Sequence, residues 1–587
     1  MSLIFGYLKK YKGAVAAAVL IKLIGTLSEL LLPYILEHII DNVVPLGNLP
    51  QVLLWGCAMF LTAFICRHYN VKANRKAIDN AHQISYEVRQ SLFEKTISLS
   101  GAQFDNFTLP SLISRMTSDS YNVQSAVQQF QTLCVRAPIM LVGGVLVASF
   151  MDFSMAMIMI VILPVLLAVV LFVSSRGIPM YRRVQQKLDV VVRLMRENIT
   201  GIRVVKALSK ESYEMGRFAS ANNEMASSDI AAATVMAIPF PLMQMALNIG
   251  LTAVVFIGAM RVNAGLMKPG VILAFLTFFN MITMGVMGLN RIFMTLSKAS
   301  ASADRIKAVL DAPDEEPARI GEEGTVSDPD EVVRFDHVSF AYDVNKESHD
   351  KKDFAGEKRE NALDDISFTI RKGESLGIIG PTGCGKTTVI NLMMHFYDVN
   401  SGEIRVDGRR VETYDRKELR RRFGTVFQND MIFQDTLHEN INFGRDIDEN
   451  KINAAVENAQ ALEFIESIPE GLAYEAAIKG ANLSGGQKQR ILVARALAAS
   501  PEILILDDSS SALDYKTDSS MRRAITENYP DSTLIMIAQR VSSVMNMSKI
   551  LVLDNGKCIG YGDHETLLKE CEAYRETYEI QMGDMNE

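Results

Sequence analysis

The sequence predicts two domains of different class: an all-α domain of six transmembrane helices with long cytoplasmic helical extensions, followed by an α/β domain of the P-loop type. Long apolar runs are confined to about the first 310 of the 587 residues, and the later part has the composition of a soluble protein. That later part contains an apolar strand that runs into a glycine-rich loop. Because a chain of this length exceeds one hydrophobic core, residues 1–310 and 331–587 are predicted as separate domains.

Six apolar windows are each long enough, at roughly 20 residues, to cross the bilayer core as a helix. Lys and Arg are concentrated before the first window and in segments 68–131 and 175–234, which places these segments on the cytoplasmic side. Both segments have helical apolar spacing and are predicted as arms that reverse at 101–112 and near Gly201; the alternative is a pair of ordinary loops. The windows lie near 14–36, 51–67, 132–151, 154–174, 235–260 and 271–294.

Charged residues fall within the predicted spans, where charge is expensive and usually functional or paired. Lys22 and Glu29 are seven positions apart and therefore share a helix face. The alternatives for these two side chains are that they line a cavity, that they contact a partner chain, or that they snorkel or pair locally; Arg136 belongs to the same class. The sequence leaves these alternatives open.

Two segments rich in charged residues, one before the second domain and one inside it, are predicted as connecting structure. Residues 311–330 concentrate Pro, Gly and acidic residues and are predicted as a linker, and 345–361 is a mixed-charge insertion predicted as a solvated loop.

The net charge of −8, without a dominant basic stripe, argues against nucleic acid as a partner. The six cysteines form no CxxC pair, so reduced thiols are expected.

The strongest motif is the glycine-rich loop in SLGIIGPTGCGKTT, which follows an apolar strand and opens a helix. In such loops backbone N–H groups converge on phosphate oxygens; here Lys386 neutralises the terminal phosphates and Thr387 holds Mg²⁺. A nucleotide and Mg²⁺ are therefore the predicted ligands. The predicted phosphate-binding residues are Gly380, Pro381, Thr382, Gly383, Cys384, Gly385, Lys386, Thr387 and Thr388.

Two further stretches complete the pattern. The apolar run 503–507 is predicted as a strand buried on both faces that delivers Asp507 and Asp508 at its carboxyl end. The LSGGQ sequence at 483–487 opens another helix and forms a second anion-binding N-terminus. Since one nucleotide does not need two such loops from one chain, the second loop is predicted to close on a nucleotide held by another subunit.

With these motifs the chain resembles an ATP-binding cassette (ABC) exporter half-transporter over nearly all of its length. The resemblance implies a dimer in the cytoplasmic membrane, with its nucleotide-binding domain in the cytoplasm, that uses ATP to move a small amphipathic substrate through the lipid bilayer. It assigns adenine stacking to Tyr342, the Q-loop to Gln428, the signature to Ser484, Gly485, Gly486 and Gln487, Walker B to Asp507 and the D-loop to Asp514. The magnesium ligands it implies are Thr387, Gln428 and Asp507.

Three positions depart from the family pattern. Asp508 stands where the family has a glutamate that positions or deprotonates the attacking water, Gln539 replaces the switch histidine, and Ile478 replaces a frequent glutamate. A carboxylate retracted by about an ångström costs about a hundredfold in rate, and glutamine carries no proton near neutral pH.

These departures resemble the degenerate-site subunit of a heterodimeric multidrug-type exporter, with Asp508, Gln539 and Gln428 at a site that holds ATP and hydrolyses it slowly. The implied partner is a second half-transporter with the consensus glutamate and histidine. The alternatives are a homodimer with two slow sites, a peptide exporter, and an ATP-gated channel or regulator.

Overall fold

The computed structural model describes residues 1–313, 330–342, 361–508 and 512–583. Most of the predicted linker (314–329) and of the predicted insertion (345–360) lies outside the described residues. The chain forms two compact units, Met1–Ile97 with Pro110–Asp311, and Ser98–Leu109 with Ala312–Glu587. The short segment Ser98–Leu109 therefore belongs structurally to the second unit, although it lies within the first half of the sequence.

The first unit is entirely helical, as the apolar windows and helical spacing predict. Three π-helical turns, Ile39–Val43, Arg115–Asp119 and Ile139–Gly143, interrupt its helices. Its α-helices are α1 Ser2–Lys10, α2 Lys12–His38, α3 Leu49–Ile97, α5 Leu109–Ser114, α6 Ser120–Pro138, α7 Gly144–Met151, α8 Phe153–Thr200, α9 Ile202–Ala207, α10 Glu211–Ala237, α11 Pro239–Asn263 and α12 Pro269–Leu310; α4, Gly101–Phe107, lies in the second unit.

The long helices exceed the thickness of a membrane. Helix α3 has 49 residues, which at 1.5 Å per residue is about 70 Å, against a hydrocarbon core of about 30 Å. Five helical stretches of the described residues are long and apolar enough to span: Lys12–Leu46, Leu49–Ile97, Leu109–Met151, Glu211–Asn263 and Pro269–Leu310. A shorter apolar stretch, Phe153–Val169, begins α8, so the count of six spans stays a prediction.

Buried carboxylates join helices of this unit that are distant in sequence. Asp41, 6% exposed, accepts a 2.6 Å hydrogen bond from the backbone N–H of Gly270 and so caps the first turn of α12. Asp119 is almost fully buried and accepts hydrogen bonds from Ser302 and from the guanidinium of Arg305 at the other end of α12. Both ends of α12 are thus anchored by charge-assisted hydrogen bonds.

The second unit is an α/β domain with two sheets. The four-stranded sheet has the order β2-β1-β4-β5 and is antiparallel, and the six-stranded sheet has the order β10-β9-β3-β8-β7-β6. The strands are β1 Glu331–Phe340, β2 Leu363–Arg371, β3 Leu376–Ile379, β4 Ser401–Val406, β5 Arg409–Arg410, β6 Phe423–Val426, β7 Ile503–Asp507, β8 Thr533–Ile537, β9 Lys549–Asp554 and β10 Lys557–Gly562. Its further helices are α13 Lys386–Met393, α14 Arg416–Arg421, α15 Leu437–Asn442, α16 Glu449–Asn458, α17 Leu462–Glu466, α18 Gly485–Leu497, α19 Tyr515–Asn528, α20 Val541–Val544, α21 His564–Glu570 and α22 Glu572–Met582.

The six-stranded sheet positions the candidate site. Strands β3 and β7 both pair in parallel with β8, and β6 pairs in parallel with β7, so their carboxyl ends meet at one edge. Every residue of β7 is buried, as its apolar sequence predicts. The predicted fold class, a helical transmembrane domain followed by an α/β P-loop domain, is confirmed.

Candidate functional site

The glycine-rich loop joins β3 to α13 at the carboxyl edge of the sheet. Gly385 has a φ of +102°, and a Cβ there would lie 2.6 Å from the carbonyl oxygen of Ala362, so only glycine fits. The ammonium group of Lys386 donates hydrogen bonds of 2.8 Å to the carbonyl oxygens of both Gly380 and Pro381. Burial raises the pKa of the Cys384 thiol. Because these two bonds fix the ammonium group of Lys386 at the N-terminus of a helix, the loop is suited to binding phosphate.

Asp507 and Thr387 form an oxygen-rich pair beside this loop. The Thr387 hydroxyl donates a 3.0 Å hydrogen bond to Oδ2 of Asp507, which is 2% exposed. Burial raises the pKa of Asp507, and the Thr387 bond opposes that effect. Among the described residues, no group of three or more His, Cys, Asp or Glu side chains is arranged to hold a metal ion by itself. The pair fits Mg²⁺, which binds one or two protein oxygens together with substrate phosphates and water.

Asp508 lies between two glutamine amides. Its Oδ2 accepts hydrogen bonds from Nε2 of Gln428 at 3.5 Å and from Nε2 of Gln539 at 3.4 Å. Its φ of 51° is in the left-handed region, which aspartate tolerates better than most residues. Gln539 lines a cavity of about 470 Å³ beside the glycine-rich loop and another of about 150 Å³ beside Asp508. The structure thus brings together the three residues predicted to be catalytic.

The LSGGQ segment begins α18 and lies at a capped helix N-terminus. Ser484 and Gln487 form a reciprocal capping box: the Ser484 hydroxyl accepts from the backbone N–H of Gln487, whose side chain accepts from the N–H of Ser484. Gly485 and Gly486, the first two residues of α18, complete the predicted signature.

Asp514, predicted from the resemblance to act at the nucleotide, caps α19. Its carboxylate accepts hydrogen bonds from the backbone N–H and the hydroxyl of Thr517, and the N–H bond lowers the pKa of Asp514. Gln489, which the sequence reasoning missed, accepts from the N–H of Ala512 and so connects α18 to the segment after β7.

Tyr342, predicted to stack on adenine, is 38% exposed and lies against two other aromatic rings. Its hydroxyl is 3.2 Å from that of Thr388, and its ring is edge-on to Tyr397 at a centroid distance of 5.1 Å. Tyr397 in turn donates a 2.7 Å hydrogen bond to Asp105 on α4. Burial and this bond raise the pKa of Tyr397. Sequence reasoning missed Tyr397 and Asp105, because no local pattern marks either residue.

Two family models match the chain: the ABC transporter transmembrane region at residues 15–286 and the ABC transporter model at 363–511. The uncharacterized ABC transporter ATP-binding protein YfiB of Bacillus subtilis is 32% identical, over 98% of both chains. The chain belongs to the ABC transporter family. An uncharacterized ABC transporter ATP-binding protein of Mycobacterium tuberculosis is 31% identical, over 98% of this chain and 97% of its own. An ATP-dependent lipid A-core flippase of Vibrio vulnificus is 28% identical, over the same shares.

The fold is similar to that of a bacterial Atm1-family ABC exporter solved with ATP bound. The TM-score is 0.79 at 22% identity, covering 97% of this chain and 99% of the other. As an ABC transporter, the protein is an ATPase coupled to transport, and it is a multi-pass membrane protein with its nucleotide-binding domain in the cytoplasm. Exporters of this family act as dimers. The chain has two anion-binding helix N-termini, at α13 and α18, and a dimer gives the second of them a nucleotide on the other subunit.

Tyr397 contacts the predicted adenine-stacking ring of Tyr342 and also bonds to Asp105, so it connects that ring to α4. We expect Tyr397→Phe to keep the ring packing and to remove the hydrogen bond, which weakens the contact of α4 by about 1 kcal/mol, because one hydrogen bond contributes on that order. Substrate-stimulated ATPase activity of the reconstituted transporter should fall several-fold while basal activity stays unchanged. Asp105→Asn, which keeps an acceptor oxygen, is the matched control and should fall less. Unchanged stimulation in Tyr397→Phe would show that this hydrogen bond does not contribute to substrate stimulation.

Proposed function

We propose that this chain is the ATP-holding subunit of a heterodimeric exporter that moves amphipathic, drug-like or lipid-like compounds out across the cytoplasmic membrane. The observation that carries the proposal is the environment of Asp508, a short carboxylate placed between the amides of Gln428 and Gln539. Neither amide takes up a proton near neutral pH. A nucleotide bound here meets an intact binding loop and a weakened hydrolytic centre.

In this proposal the remaining side chains bind rather than cleave. Lys386 and the loop N–H groups hold the phosphates, and Tyr342 stacks on the base. Thr387, Asp507 and Gln428 hold Mg²⁺, which neutralises phosphate charge when it is bound. Residues 484–487 close on the nucleotide of the partner, whose consensus glutamate and histidine carry out the hydrolysis that resets the transporter.

Export of an amphipathic compound is supported by the exporter fold and by the apolar helices of the first unit. A lipid-like cargo is supported by the similarity to a protein named as a lipid A-core flippase. A peptide cargo is the second choice. A homodimer with two equally slow sites and an ATP-gated channel are the competing explanations, and measurements of ATP hydrolysis and of vesicle transport separate them from the proposal.

The chain purified alone tests the degenerate site. We expect it to bind ATP, to lose that binding in Lys386→Ala because the fixed cation is removed, and to hydrolyse ATP at a rate close to background. The measurements are nucleotide binding by fluorescence titration and phosphate release by the same sample. Rapid hydrolysis that Lys386→Ala abolishes would contradict the proposal, because that activity would come from this site; hydrolysis that survives Lys386→Ala comes from another ATPase in the sample.

Inside-out vesicles that contain the native assembly test export. Accumulation of an amphipathic dye against its gradient, dependent on ATP hydrolysis, is the expected result. A non-hydrolysable ATP analogue is the control, because a channel opened by binding would pass the dye down its gradient with the analogue alone.

A further inference from the structure

Lys22, Glu29 and Arg136, which all lie within predicted spans, have different surroundings. Lys22 on α2 is 4% exposed, and its ammonium donates to Oδ1 of Asn70 at 2.8 Å and of Asn74 at 3.1 Å, both on α3. Two amide oxygens therefore hold this cation inside the protein. These bonds join α2 to α3, and Lys22 is called the closed cation here because solvent barely reaches it.

Glu29 and Arg136 form an ion pair that remains open. Nη2 of Arg136 donates a 2.7 Å hydrogen bond to Oε1 of Glu29, and the side chains of Arg136 and Glu29 are 38% and 20% exposed. A guanidinium group has five N–H donors. Among the described residues, Arg136 donates one hydrogen bond, the one to Glu29. In a bilayer-spanning segment such unused donors are costly unless another group meets them.

The open pair borders a small cavity that has a charged side and an apolar side. The cavity has a volume of about 40 Å³ and is lined by Glu29, Arg136 and, on the facing helix, Met281 and Met284. It holds a group of a few heavy atoms. Met284 is 66% exposed and extends the thioether surface beyond the cavity. A polar pocket beside an adaptable apolar wall matches a compound with a compact head and a flexible tail.

The charge balance decides the sign of the head. The six predicted spans contain one acidic residue, Glu29, and several basic ones, Lys22 and Arg136 among them, so the spans have an excess of positive charge. Glu29 occupies one edge of the guanidinium and fixes its orientation, which leaves the other edge for bidentate recognition. Carboxylate, sulfonate and phosphate oxygens fit that geometry.

We propose that Arg136, held by Glu29, binds the anionic head group of an amphipathic substrate while the apolar tail lies along Met281 and Met284. This rests on the proposed function and narrows its substrate class to amphipathic anions. Arg136 is the contacting residue, and Glu29 is a positioning residue that acts through it. The competing explanation is that the pair only joins α2 to α6.

Binding to the full-length protein in its native assembly, reconstituted in nanodiscs, tests the inference. Two probes share one fluorescent dodecyl tail and differ in the head, sulfonate in one and trimethylammonium in the other. We expect the sulfonate probe to bind about tenfold more tightly, since a charge-assisted hydrogen bond contributes about 1.5 kcal/mol. Arg136→Gln should remove that preference, and Glu29→Gln should only reduce it, because the guanidinium remains but is oriented less firmly.

The matched variants separate the two explanations. Equal losses in Arg136→Gln and Glu29→Gln would indicate a structural tie and overturn the inference, as would equal affinity of the two probes for the unaltered protein. Asn280→Ala, which alters an exposed amide on α12, is the control and should bind as the unaltered protein does. Sulfonate-selective binding without ATP-dependent accumulation in vesicles would overturn export while supporting this site.

Discussion

Asp508→Glu combined with Gln539→His is expected to raise ATP turnover at this site about a hundredfold. The longer side chain carries the carboxylate roughly an ångström further from the backbone, and a misplacement of that size accounts for about two orders of magnitude in rate. Histidine in place of Gln539 adds a group that exchanges a proton near neutral pH. Single-turnover hydrolysis of ATP measures the effect, in the purified native assembly with the partner's catalytic glutamate replaced by glutamine, so that the partner's site does not contribute.

The surroundings of Asp508 define the controls. Gln428 and Gln539 approach the same oxygen, Oδ2, so a change in carboxylate position alters both hydrogen bonds together. Asp508→Gln has the length of glutamate without its charge and should not gain turnover. If it gains as much as Asp508→Glu, the length of the side chain controls the rate and a charged, well-placed base does not.

The parts of the site that the sequence predicted are those with local patterns. Strand β7 is an unbroken apolar run followed by Asp507, and the glycine-rich loop has a fixed spacing between β3 and α13. Each pattern follows from a physical requirement, burial on both faces in the first case and close backbone approach to phosphate in the second. Burial of the strand is a finding of the structure, whereas the ligand roles of these residues remain proposals.

The contacts that the sequence did not predict join residues far apart in the chain. Tyr397 and Asp105 are separated by 292 positions, and Arg136 and Glu29 by 107. Periodicity identifies which face of a helix a residue occupies but not which helix packs there. Lys22 and Glu29 do lie seven positions apart on one helix, yet the first bonds to α3 and the second to α6. Only the packed structure distinguishes the closed cation from the open pair.

In the proposed heterodimer, conservative removal of the two acidic groups should have very unequal effects. Replacing the partner's catalytic glutamate by glutamine is expected to lower steady-state ATP turnover by about a hundredfold or more, because the charge of a well-placed base is lost. Asp508→Asn should leave most of the turnover, since Asp508 sits in a site that already hydrolyses slowly. Both variants are measured in the same reconstituted assembly, with ATP binding as a check on folding. If the two variants lose the same amount of ATP turnover, the two sites are equivalent. That result would contradict the proposal, because replacing the acidic group of a site that only holds ATP should not slow hydrolysis at the other site.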